Sequence, residues 1–386
     1  MTVDDQFPSV DALKKRARRR LPFFVWEYLD SATGRETVKS ENRRGLDRIK
    51  FTTRVLRGDL KPELTVDLLG RRYDLPFGIA PVGMSGLIWP DAERHLARSA
   101  ARHNIPYCLS TVASQTPEEV GPVVGNQGWF QLYPPQDPDI RRDLLARARN
   151  SGFHTLVVTV DLPVASRRER QRQAGLTIPP RITPSLIAQC MLTPDWSFTT
   201  LFNGIPSLKT VERYTKTERG QSSTAHAGYI LRGKPPGWDY FKALRGEWKG
   251  PLVVKGITHP DDAVMAADLG ADAIWVSNHC GRQFDGSGAG IDDLPAVHAA
   301  LNGRVPIIFD GGIESGLDII RALSLGADFA MLGRGFHYGL AALGPRGADQ
   351  VVNLLKADIV SNLGQLGIAT PKEAAKRRLH TKVYSS

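Results

Sequence analysis

Between Pro251 and Arg334 the chain reads PLVVKG (251–256), AIWVSNHCGRQFD (273–285), VPIIFDGGIESG (305–316) and FAMLGR (329–334). Each segment opens as a short apolar run rich in β-branched residues and closes on glycine or a polar side chain, with helix-patterned sequence before the next. Runs that are apolar at odd and even positions alike suit strands covered on both faces, as in parallel sheets. The same form recurs upstream at LPFGIA (from Leu75), IPYCLS (Ile105), WFQLY (Trp129) and TLVVTV (Thr155). Eight strand–helix units in one chain fit a closed (β/α)8 TIM barrel of the α/β class better than an open doubly wound sheet. Residues 1–74 then form a helical extension and 75–386 the barrel, with an excursion at about 170–250 after the fourth strand and helices at the C-terminus. Pro, Gly, Ser and Thr gather in the excursion around Lys216–Gly237.

Lys and Arg number 50 against 40 Asp and Glu, a formal charge of +10. Seven residues from Lys14 read KKRARRR. A basic barrel that binds nucleic acid or an anionic surface is the rival from a different functional class, and it predicts colourless protein with salt-sensitive binding. A solvated helix face is the preferred reading of the run. The three cysteines, Cys108, Cys190 and Cys280, form no CxxC pair and no cluster at metal spacing, so neither a disulfide framework nor a metal site is indicated. The start MTVDDQFPSV lacks the basic-then-apolar order of a secretory signal, and no apolar run has the length of a membrane span. A cytoplasmic protein is expected, with peripheral contact to the inner face of the membrane as its one membrane option.

Barrel enzymes build their sites at the carboxyl ends of the strands. Here those ends carry Pro81-Val82-Gly83, Ser110, Gln131 with Tyr133, Thr159 with Asp161, Lys255, Ser277-Asn278-His279 with Arg282, Asp310-Gly311-Gly312, and Gly333-Arg334. Each alone is what any loop start offers. Together they supply a near-neutral base, cations for an anionic ligand and glycines that admit a phosphate to the backbone. A nicotinamide site is disfavoured, because no GxGxxG joins a first strand to a helix. GSGAG at Gly286 follows the sixth strand and reads as a mobile loop.

These residues resemble the FMN-dependent α-hydroxy-acid oxidase and dehydrogenase family, from about Leu21 to Leu363. The most specific strings are WFQLY, TVDLP at Thr159, LVVKG at Leu252, SNHCGRQFD at Ser277 and DGGIESG at Asp310. The resemblance implies oxidation of an (S)-2-hydroxy acid by bound FMN, with His279 as base, Asp161 holding its imidazole, and Tyr133 as the third catalytic residue. Arg168 and Arg282, with Tyr28 and Tyr133, would bind the substrate. Pro81, Val82, Gly83, Ser110, Gln131, Thr159, Lys255, Ser277, Asp310, Gly311, Gly312, Gly333 and Arg334 would contact FMN, with Lys255 beside the flavin ring and Gly311, Gly312, Gly333 and Arg334 at the phosphate. L-lactate is the first substrate expected and mandelate the second. A quinone or other non-oxygen compound is the expected electron acceptor and oxygen the alternative; a homo-oligomer, tetrameric by resemblance, is expected, with no nucleic acid.

Two positions depart from the family pattern. Glu314 stands where an arginine usually meets the FMN phosphate, and Cys280 replaces the glycine after the histidine. Ile182–Leu208 gathers Leu186, Ile187, Met191, Trp196, Phe198, Leu201, Phe202 and Ile205 among few charges. Such a stretch suits either a membrane interface or a lid buried on the barrel mouth or at a subunit contact.

Overall fold

The computed structural model describes residues 2–175, 183–214 and 235–379. Eight parallel strands close into one barrel in the order β10-β3-β4-β5-β6-β7-β8-β9. They are β3 (Phe77–Ile79), β4 (Tyr107–Ser110), β5 (Gly128–Leu132), β6 (Thr155–Thr159), β7 (Leu252–Ile257), β8 (Ala273–Val276), β9 (Ile307–Phe309) and β10 (Phe329–Leu332). All eight coincide with the apolar runs read from the sequence, with only Gly128 of β5 and Ile257 of β7 one residue beyond them.

Alternation along each strand sorts its residues into two cores, since successive side chains point to opposite faces. Cys108, Trp129, Val157, Val253, Trp275, Ile308 and Met331 fill the barrel interior, while Phe130, Leu156, Val254, Ile274 and Phe309 belong to the layer under the surrounding helices. Both sets are buried, which is why the strands show no polar face in sequence.

The first segment is not wholly helical. After α1 (Val3–Gln6), α2 (Val10–Arg20), α3 (Phe23–Asp30) and α4 (Thr37–Arg48) comes an antiparallel hairpin, β1 (Val66–Leu68) and β2 (Arg71–Tyr73). Leu69 and Gly70 turn it with φ of 52° and 76°. Its Leu68 and Tyr73 join the barrel-interior cluster; Trp129 Nε1 donates to Tyr73 Oη at 3.1 Å, and Tyr73 packs on Phe329 at 5.9 Å. The hairpin thus closes the end of the barrel opposite the carboxyl ends of the strands. Three-residue strands leave too little alternation to be seen as such in sequence.

In the KKRARRR run Lys15, Arg16, Arg18 and Arg19 are exposed, as on a solvated helix face, while Lys14 and Arg20 are partly buried and Ala17 is buried. Arg16 Nε and Arg20 Nη1 both donate to the Ala342 carbonyl, at 2.9 and 2.5 Å, capping the last turn of the helix Arg334–Leu343. Cations at a helix C-terminus satisfy orphan carbonyls and oppose the helix dipole. In the excursion, the helices Pro184–Leu192 and Pro194–Asn203 are described, whereas Ile182 and 215–234 lie outside the described residues.

Candidate active site

Strand register sets the site. Two residues beyond the inward Cys108, Trp129, Val157, Val253, Trp275, Ile308 and Met331 stand Ser110, Gln131, Thr159, Lys255, Ser277, Asp310 and Gly333. Another step of two reaches Val112, Tyr133, Asp161 and His279, just beyond the ends of four of these strands. One cavity at this rim is lined by Pro81, Val82, Gly83, Val112, Gln131, Tyr133, Thr159, Lys255 and His279, and continues past Asp310 to Glu314, Gly333 and Arg334. Tyr28, Arg168 and Arg282 line it as well.

His279 Nδ1 lies 3.1 Å from both carboxylate oxygens of Asp161. With the Nδ1 proton donated to Asp161, the lone pair of the neutral ring is on Nε2. Burial pushes the imidazole below its ordinary value, against the pull of Asp161, so the ring is neutral at pH 7. Burial also disfavours the Asp161 anion, but the charge and hydrogen bond of His279, with Lys255, outweigh it and hold the carboxyl below its usual range. His279 and Cys280 adopt left-handed backbone, with φ of 52° and 54°. Bonds from His279 N to Ser277 Oγ (3.1 Å) and from Gly281 N to Asn278 O (3.0 Å) fix this strained turn.

Lys255 is buried, donates to Ser277 Oγ at 2.7 Å and pairs with Asp310 Oδ2 at 3.0 Å. Burial works against its charge, yet Asp310 and Asp161 raise the ammonium above its ordinary value. Ser277 in turn donates to Asp310 Oδ1 at 2.5 Å. Ser277 and Ser110 sit behind the lining and not in it: Ser110 Oγ donates to Gln131 Oε1 at 3.0 Å. Both serines orient a lining side chain, which residue spacing could not separate from direct contact.

At the other wall Tyr28 donates to the Gly83 carbonyl at 2.7 Å, and Arg282 Nη1 to the carbonyls of Tyr28 and Ser31 at 3.1 and 2.8 Å. Burial, then repulsion from Arg168 and Arg334, brings the Arg282 guanidinium down to about 9. This wall is short of negative charge, and a carboxylate forked onto the guanidinium groups would relieve it. Burial pushes the Tyr133 phenol up to about 12, which keeps it a neutral hydroxyl.

The donor set fits a flavin nucleotide. Gln131 Nε2 and Thr159 Oγ1 are buried at the lining without a hydrogen-bond partner, beside the Lys255 cation. Gly333 is packed so that a Cβ there would stand 3.1 Å from Val82, and Gly311 and Gly312 have φ of 129° and 75°, conformations other residues rarely hold. Arg334 is half-buried beside them and donates Nη2 to the Cys280 carbonyl at 3.0 Å.

Three supports escaped the sequence reading. Asn42 of α4 exchanges hydrogen bonds with Asn278 at 3.0 and 2.8 Å and accepts from Gly290 N, so the GSGAG segment is tied down and is not a free loop. His337, kept neutral by burial with its value lowered to about 4, bonds Gly333 O at 2.8 Å and Ser85 Oγ at 2.7 Å, clasping two loops of the lining. Lys14 of α2 meets Glu314 at 3.4 Å. None of the three stands at a strand end.

The chain matches the model of the FMN-dependent dehydrogenases over residues 17–381. It is 37% identical over 363 residues to an L-lactate dehydrogenase of Caulobacter vibrioides (strain NA1000 / CB15N), covering 93% of this chain and 94% of that one. An L-lactate dehydrogenase of Alcaligenes faecalis is 37% identical over 349 residues, 90% of this chain and 91% of the other. Among solved structures, (S)-mandelate dehydrogenase, described as a monotopic membrane protein, superposes with a TM-score of 0.90 at 31% identity, covering 96% of this chain and 98% of its own. A mandelate oxidase superposes with a TM-score of 0.81 at 32% identity, covering 97% and 98%.

Proposed function

The chain belongs to the FMN-dependent dehydrogenase family and oxidises 2-hydroxy acids with FMN; within that activity we propose that L-lactate is the substrate and a quinone or other non-oxygen compound the electron acceptor. The observation that carries the reaction is His279, bonded through Nδ1 to Asp161 at 3.1 Å and lining one cavity with two guanidinium groups. Arg168 and Arg282 would hold the carboxylate, and the Tyr28 and Tyr133 hydroxyls would serve the carboxylate and the 2-oxygen. His279 Nε2 would take a proton from the bound hydroxy acid, and the imidazolium would then be held by Asp161. Gln131, Thr159 and Lys255 would hold the flavin ring, with Gly311, Gly312, Gly333 and Arg334 at its phosphate. When bound, FMN supplies the acceptor for the two electrons and the second hydrogen that the substrate loses.

Anaerobic flavin reduction by L-lactate, glycolate, mandelate and longer 2-hydroxy acids tests the substrate. L-lactate is expected to give the highest reduction rate per concentration, and a higher rate with mandelate would transfer the assignment to it. Steady-state rates with a quinone-like dye against oxygen test the acceptor.

A membrane-bound acceptor has a route in the excursion. Ile187, Met191, Leu192, Phe198, Leu201, Phe202 and Ile205 are exposed, the last three by 76, 85 and 74%. An apolar face of this kind needs an apolar environment, and the basic chain supports an anionic bilayer surface. No helix among the described residues is long and apolar enough to cross a membrane.

A further inference from the structure

The far end of the cavity has a charge arrangement that its own lining leaves unbalanced. Arg334 and Glu314 line it, a cation and an anion. A phosphomonoester is close to a dianion at neutral pH, with a second pKa of about 6. One guanidinium beside one carboxylate is a poor counter-charge for it. Three further charged groups stand just behind this end: Asp30, Lys39 and Lys14.

Their bonds divide them. Asp30 accepts from Lys39 Nζ at 2.8 Å and from Tyr338 Oη at 2.8 Å, and Lys39 donates also to the Asp30 carbonyl at 2.6 Å. That pair is closed upon itself. Lys14 is different: its Nζ lies 3.4 Å from Glu314 and 3.7 Å from Asp30, over the Tyr338 ring at 5.4 Å. Charge-assisted hydrogen bonds are ordinarily about 2.7–2.9 Å. The ammonium is therefore held loosely between two carboxylates, with donors unspent, on a side chain only 27% exposed.

Its backbone is fixed firmly enough to aim it. Leu13 and Ala17 of α2 are fully buried, and Arg16 and Arg20 are tied to the Ala342 carbonyl at the far end of the helix Arg334–Leu343. Arg334 is the first residue of that same helix, so α2 and Arg334 are parts of one packed unit.

We propose that Lys14 recognises the phosphate of FMN together with Arg334, with Glu314 steering the ammonium to the cavity end, so that α2 forms part of the cofactor site. The proposal rests on FMN being the flavin held here. It separates the phosphate from the ring: Lys14 contributes to binding FMN and nothing to binding riboflavin.

The test compares dissociation constants of FMN and riboflavin for flavin-free full-length protein, read by quenching of flavin fluorescence. Lys14→Met is expected to weaken FMN about tenfold, the loss of one charge-assisted hydrogen bond, while riboflavin changes by less than about twofold. Lys14→Arg is expected to restore discrimination between the two flavins. Equal weakening of both would mean that α2 had come loose, and unchanged affinity for both in Lys14→Met would mean that Arg334 suffices; either overturns the proposal. If the wild type binds neither flavin, the FMN reading of the cavity itself is wrong, an outcome distinct from both.

Discussion

The reaction end of the cavity and the excursion helices are built on opposite terms. At the barrel mouth several side chains answer to one another: His279 to Asp161, Lys255 to Ser277 and Asp310, Gln131 to Ser110. The helices Pro184–Leu192 and Pro194–Asn203 touch the rest of the molecule through a few side chains, among them Trp196, Gln189 and Asp195, and turn Leu201 and Phe202 to solvent. Where the fold supplies the partners, a residue's role follows from its neighbours. Where it does not, the role depends on what lies outside the chain.

The sharpest way to break this contrast is His279→Ala. With the base gone and its surroundings intact, flavin reduction by the preferred hydroxy acid is expected to slow by about 10²–10⁴-fold while bound flavin is retained. Stopped-flow absorbance at the flavin band gives the rate, and near-normal reduction would remove His279 from the chemistry.

Asp161→Asn probes the support and not the base, with a loss of about 10–10²-fold expected. The pH profile carries the more specific expectation. The base must be neutral to act, so kcat/KM falls as pH drops through the His279 pKa of the free enzyme, which burial places below 6.5. Asp161 raises that value, so removing its charge moves the acid limb to lower pH. An unmoved or rising limb would mean that Asp161 does not act through the imidazole charge.

How much of this was legible follows from the same contrast. The eight strands, and the lining residues Gln131, Thr159, Lys255 and His279, were readable because a strand buried on both faces must end where polarity begins. The inward register of Trp129, Val157, Val253 and Trp275 then projects onto the rim in steps of two. Ser110 and Ser277 lie on the same register but one layer back, which depends on side-chain length and partners and not on spacing. Lys14, Asn42 and His337 came from helices whose approach to the rim is decided by tertiary packing. The β1–β2 hairpin was missed because its two short strands pack their apolar residues against a barrel floor built elsewhere in the chain.

Trp196 corrects one element of the sequence reading. It belongs to the apolar stretch, yet it is 5% exposed, donates Nε1 to the Leu87 carbonyl at 3.0 Å and meets Phe24 edge-on at 5.8 Å. It is an anchor and not part of an outward face. Trp196→Ser is expected to lose about 3 kcal/mol of stability through the cavity and the stranded carbonyl, measured by denaturant unfolding. A loss under about 0.5 kcal/mol would mean that the helix pair is not docked through it.

The smallest expected effect on the folded protein is the most informative about its surroundings. Leu201 and Phe202 are 76 and 85% exposed on the helix Pro194–Asn203, so Leu201→Ser with Phe202→Ser removes apolar area that the fold does not bury. Surface substitutions of this kind usually alter stability by no more than about 0.5 kcal/mol. Activity with a soluble dye should likewise persist, because neither residue lines the cavity. Binding to a bilayer should not persist: an aromatic or leucine side chain fully buried in an apolar phase contributes about 1.5–3 kcal/mol. Co-sedimentation with anionic vesicles is therefore expected for the wild type and lost in the double variant, while Trp196 stays in place. If both proteins sediment alike, or neither does at low salt, the face covers a lid or a second copy of the chain instead, and sedimentation equilibrium of the double variant would tell these apart by whether the oligomer dissociates.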